Sequence, residues 1–380
     1  MLAWLYAGGP AVSHEWRLLH ASLQIFGFFG ALIAGVAPHL IARFTGHATS
    51  QPPRAHQIFG LMVAGLLLRT AGTWAALPWA VLAGAGCQAT AFLLVAAWVW
   101  RALDPAPLAA LRRQLTASSG WLAGACLLET ILRWRALRAG LPMPSTGAMR
   151  AVEAMALLAG VTGWIAGVLL RAGPMFAPRW RVAPWFARAL PWALGLGAAL
   201  AAAGESADAP AVARLGELCV VGTVAALFVG CGVLRVAPEA LPLAGRSAEE
   251  SRIFRLALAS LGAALVGSLA AAALAWCAIE APLLGDAVRH LIAVGFLTAI
   301  AVAMTFRLIP VLEGRALPWP RLRAAAFWAL AAGVTLRSAE TLLGFGWAWL
   351  APGVALSGLC VWAALLCVGA NLVWAVTRRP

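Results

Sequence analysis

The sequence predicts an all-α polytopic membrane protein with about 11 transmembrane helices, or 12 as an upper count, and an internal repeat. Three observations carry this. Of the 380 residues 63% are hydrophobic and only 11% are charged, against about a quarter charged in a typical soluble domain. The apolar residues form runs rich in Ala, Leu and Gly that are long enough to span hydrocarbon; a backbone exposed to lipid must satisfy its hydrogen bonds within such a run, which makes these segments helices. Part of the sequence also repeats at a fixed offset.

Eleven spans are centred on Gly30, Val63, Ala91, Ala125, Gly160, Gly195, Thr223, Leu265, Ile300, Leu330 and Val361. The first begins near Arg17. The head from Met1 to Trp16 lacks the basic n-region of a cleavable signal, so the whole chain reads as mature, with the head at the interface. All 28 basic residues are Arg and fall into two alternating sets of loops. The richer set surrounds Arg43/Arg54, Arg101/Arg112/Arg113, Arg171/Arg179/Arg181/Arg188, Arg235/Arg246/Arg252/Arg255, Arg307/Arg315/Arg321/Arg323 and Arg378/Arg379. The positive-inside rule makes that set cytoplasmic, with the N-terminus outside and the C-terminus inside. The net charge of +14 then serves insertion and attraction to anionic lipid heads, and no basic domain stands apart for nucleic acid. Seven cysteines without a CxxC spacing suggest packing residues, not a disulfide framework or zinc site.

Residues 1–380 read as one transmembrane helical domain containing two related units, 17–101 and 286–376, with a gap-free match at an offset of 268 from Gly27 to Ala71. Gly27-Phe28 falls on Gly295-Phe296, Leu40-Ile41 on Leu308-Ile309, Gly46 on Gly314, Pro52 on Pro320, and Leu68-Arg69 on Leu336-Arg337. A fainter echo at Val161 to Arg171 matches "GALIAGVAPHL" four spans earlier. The plan is three four-helix units with the last lacking one helix, which is also the plan of the large subunits of haem-copper oxidases.

Polar residues in the spans point to a site. His20 and His39 lie nineteen residues apart in one span, roughly 28 Å along a helix, so they cannot share a metal. His20 belongs near the outer end and His39 near the inner end, where His47 and His56 read as solvated loop residues. His290 opens the ninth span at the outer level, where Arg69, Arg337, Glu129, Arg133, Glu153 and Glu340 also gather. Ionisable groups at that depth mark function unless they pair with each other. Imidazoles and guanidinium groups are what a haem near the outer face needs, for axial ligation and for its propionates. His14 is a reserve ligand. HExxH, a phosphate-binding Gly-rich loop and a nucleophile with its base are all missing from the sequence.

These residues carry a family resemblance. "HASLQIFGFFGALIAGV" resembles the His-Ala-His motif followed by Phe-Gly-Phe in the first hairpin of the NnrS family of bacterial membrane proteins. "RHLIAVGFLTAIAVAMTFRLIPVLEGRALP" with "LRSAE" resembles that family's second motif. The resemblance implies an inner-membrane protein that binds haem and copper and is linked to nitric oxide metabolism or tolerance. It points to His20 and His290 as metal ligands, with Arg69 and Arg337 also at the cofactor. The family's second motif histidine is Ser22 here, and the acid that often follows is Leu23. Serine is a poor ligand for copper, so the expected cofactor is haem, of b type, and copper is doubtful. The expected partners are the lipid bilayer, haem and a diatomic ligand such as nitric oxide, with no nucleic acid. The competing expectation is a permease for an anionic small molecule that uses the same buried Arg and Glu.

Overall fold

The computed structural model describes residues 14–45, 55–103, 105–176, 180–231, 248–279, 281–314, 317–343 and 351–377. Among these every regular element is helical. The helices are α1 (Glu15–Ala42), α2 (Ala55–Trp74), α3 (Pro78–Ala102), α4 (Leu108–Arg138), α5 (Thr146–Ala172), α6 (Pro184–Ser206), α7 (Pro210–Gly230), α8 (Glu249–Trp276), α9 (Pro282–Pro310), α10 (Pro320–Leu343) and α11 (Ala351–Thr377). They form two compact units, Ser13–Arg235 with α1 to α7 and Val236–Pro380 with α8 to α11.

Among the described residues nine helices are long and apolar enough to cross a membrane. The protein is therefore a multi-pass membrane protein of the expected all-α class. The two helices outside this set are α2 and α10, which carry Arg69 and Arg337. A guanidinium in mid-helix lowers the mean hydropathy of a segment. It does not stop the segment from packing on its neighbours, and α2 lies along α3 as α10 lies along α11.

Three helices share an interruption. The α1 region runs as α-helix over His14–Ser22, widens to a π-helix over Leu23–Gly30 and resumes as α-helix over Ala31–Thr45. In the α9 region the same three segments are Pro282–His290, Leu291–Thr298 and Ala299–Glu313, each boundary shifted by 268. The α5 helix has its π turn at Met155–Val161, ending 131 residues after Gly30. The wider turn shows in the threonines: Thr162 and Thr298 donate to carbonyls five residues back, at 2.8 and 2.9 Å, whereas Thr305 donates four back to Ala301.

The hairpins that follow repeat as well. The α2–α3 turn places Ala76 at φ 52° and the α6–α7 turn places Asp208, 132 residues on, at φ 51°. Leu77 N donates to Gly72 O and Ala209 N to Gly204 O, again 132 apart. Backbones approach closely where both helices carry glycine. A Cβ on Gly84 would stand 2.7 Å from Gly65 O, and one on Gly216 would meet Ala201 N and lie 2.5 Å from Gly197 O. In the third hairpin Gly333 takes the place of Gly65, facing Ser357 O at 3.0 Å.

Substituting Gly84 by Val should therefore push α2 and α3 apart and cost about 1–3 kcal/mol, lowering the unfolding temperature in detergent. Gly86→Val, where a Cβ meets nothing within 4 Å, should leave it nearly unchanged.

Candidate functional site

In the Ser13–Arg235 unit the site is built around a guanidinium in the bundle. Arg69, five residues before the end of α2, is 1% exposed. Such a charge needs a full complement of partners. Glu129 of α4 supplies it through two parallel bonds: Arg69 Nη1 donates to Oε1 at 2.6 Å and Nη2 to Oε2 at 2.8 Å. Arg133, one turn along α4, donates from Nε to the same Oε1 at 2.7 Å. Glu129 is itself fully buried, so the cluster of two guanidinium groups and one carboxylate keeps a net charge of +1.

The cluster reaches α1 through Ser22, whose hydroxyl accepts from Arg69 Nη1 at 3.4 Å. Ser22 is the last residue before the π turn. The ring of Phe26, one turn later, lies 5.3 Å from the Arg69 guanidinium carbon. Gly84 makes room for the arginine stem, since a Cβ there would stand 2.9 Å from Arg69 Cγ. Three helices of one unit are thus tied together by a single side chain.

In the Val236–Pro380 unit the position equivalent to Ser22 is His290, the last residue before its own π turn. The Asp286 carbonyl lies 2.8 Å from His290 Nδ1. A carbonyl only accepts, so Nδ1 carries the hydrogen and the lone pair of the neutral ring sits on Nε2. The Asp286 carboxylate stands 3.6 Å from the same nitrogen and the His290 side chain is 23% exposed. Arg337, 268 residues after Arg69, is its equivalent in this unit. His290 and Arg337 stand at the positions that Ser22 and Arg69 hold in the other unit, each shifted by 268.

The other expected residues are placed as follows. His20 lies on α1 with its side chain exposed, and Glu153 on α5 is partly buried. His39 and His56 are exposed near the opposite ends of their helices. His47 and the side chains of His14 and Glu340 lie outside the described residues. Sequence reasoning paired Glu129 with Arg133 and missed its stronger bond to Arg69, sixty residues away. It also missed Gln88 of α3, which is fully buried; a lone amide in an apolar span was the available signal.

A family model described as "NnrS protein" matches the chain over residues 1–380. Among curated proteins none matches it.

Removing Glu129 should strand two guanidinium groups, one of them buried. Glu129→Ala should cost about 3–5 kcal/mol of stability, read as a fall in unfolding temperature or loss of folded yield. The double variant Arg69→Met with Glu129→Leu should recover much of that loss.

Proposed function

The chain belongs to the NnrS family, and from that premise we propose that it is a haem protein of the bacterial inner membrane, associated with nitric oxide response or tolerance. The observation that carries this reading is the set tautomer of His290. An imidazole whose Nδ1 is committed to a backbone carbonyl presents Nε2 as a ligand nitrogen, the arrangement expected of an axial histidine. The His290 side chain is 23% exposed. The residues present therefore fit a haem held through His290, and His20 in the other unit is a separate candidate ligand.

When bound, the haem supplies an iron centre that takes a diatomic ligand such as nitric oxide or passes an electron. The chain's own residues position and compensate charge. Asp286 holds the His290 ring through its carbonyl and stands close to the Nδ1 side with its carboxylate. Arg337, at the matching depth of α10, is the guanidinium that would pair with a propionate when the cofactor is bound. Arg69 is not available in the same way, since both its terminal nitrogens are taken by Glu129.

The residues do not fit copper. Ser22, already accepting from Arg69, is a poor ligand. Among the described residues no group of three or more His, Cys, Asp or Glu is placed to hold a metal ion. The arginine asymmetry of the loops supports a topology with the N-terminus outside and the C-terminus in the cytoplasm. A permease for an anion would need a cation free to meet its substrate, and the pairing of Arg69 with Glu129 weighs against that use.

Optical spectra of detergent-purified protein from haem-replete cells test the reading. A Soret band that shifts on reduction should appear in the wild type and in His39→Ala, and should be lost or strongly displaced in His290→Ala. A band unaffected by both His290→Ala and His20→Ala would contradict the assignment.

A further inference from the structure

The three related hairpins provide an internal control on which residues the fold itself requires. Where α2 and α3 cross, a Cβ on Gly65 would stand 2.6 Å from Gln88 Cγ. The second hairpin makes the same contact between Gly197 and Val220 Cγ2 at 2.7 Å, and the third makes it between Gly333 and Val361 Cγ2, also at 2.7 Å. One packing site is therefore filled by Val twice and by Gln once. Valine satisfies the crossing, so the amide at Gln88 is not there for packing.

The amide is also costly where it stands. Gln88 is 0% exposed, and among the described residues neither its Oε1 nor its Nε2 has a hydrogen-bond partner. Arg69 has a related deficit: among the described residues its buried Nε has no hydrogen-bond partner, although both terminal nitrogens are satisfied. Arg69 and Gln88 flank the same pair of glycines, since Gly84 faces Arg69 Cγ as Gly65 faces Gln88 Cγ. A buried polar atom without a partner costs free energy comparable to a lost hydrogen bond, and native proteins commonly answer it with bound water.

We propose that the α2–α3 crossing is a binding site for internal water, held by both amide atoms of Gln88 and by Arg69 Nε. The chemistry is specific about the guest. It must accept from two N–H donors and donate to one carbonyl, which water does within the space of a small molecule and which a halide or other proton-free anion does not. The site hydrates the Arg69–Glu129 cluster from within the bundle, giving a charged group in the membrane a polar contact on the side where its carboxylate partner does not reach. The second hairpin carries neither group, with Ala201 and Val220 at the two positions, and the third carries Arg337 with Val361, so the amide is particular to the first hairpin.

Two measurements test the site. A high-resolution map of the full-length wild-type protein should show a density peak within hydrogen-bond distance of the Gln88 amide, and a dry crossing would overturn the proposal. Gln88→Val installs the residue that the other two hairpins tolerate, so the variant should fold. If Gln88 holds water against Arg69, the variant should unfold several degrees below the wild type in detergent. If the amide is merely unsatisfied, removing it should raise the unfolding temperature or leave it unchanged, and the proposal fails.

Discussion

The free-energy cost of a guanidinium inside a membrane bundle is the constraint on which the rest of this structure turns. Arg69 is buried at its place in α2, so its charge must be met where it lies. Glu129 meets it with two short bonds, Arg133 shares the same carboxylate, and Ser22 and Phe26 also contact the guanidinium. Such a pair contributes little net stability compared with apolar packing of the same volume, yet losing one member is severe. That asymmetry makes the cluster a device for fixing relative position. It holds α1, α2 and α4 in one register at the level where the first π turn begins.

The repeats separate what is scaffold from what is particular. Turn geometry, glycine contacts and π turns recur among the helices at offsets of 131, 132 and 268, which marks them as the common frame. The side chains mounted on it differ. The position 131 and 268 residues after Ser22 is held by Glu153 and His290, and the position matched to Arg69 is held by Ala201 and Arg337. A π turn follows each of the three first positions. π turns are frequent at functional sites because the extra residue changes the direction in which neighbouring side chains point, and here they mark one place three times while only one copy carries an imidazole.

Much of this was legible in the sequence. Composition and run length specify an all-α membrane chain, and the match of Gly27-Phe28 and Arg69 to Gly295-Phe296 and Arg337 reveals an offset that the helix boundaries also follow. The gathering of Arg69, Glu129 and Arg133 at one depth was also readable, since depth follows from distance along each span. What the sequence could not supply was rotation. Which carboxylate faces Arg69 depends on the angle of α4 about its own axis, and Glu129 reads equally well as a local partner of Arg133. The π turns were hidden for a related reason, because inserting one residue changes every downstream facing direction without altering the hydrophobic pattern that announces a helix. Gln88 escaped notice because a single amide in a run of apolar residues carries no periodic signal.

The central claim is that this frame holds a haem through an imidazole. It is tested most directly by quantifying cofactor in well-folded wild-type protein purified from haem-replete cells, by pyridine haemochrome with iron and copper analysis. The account predicts a b-type haem and iron in proportion to the chain, with copper well below it. A colourless protein free of iron that elutes as a single folded species would contradict it and would move the anion-permease reading to the front.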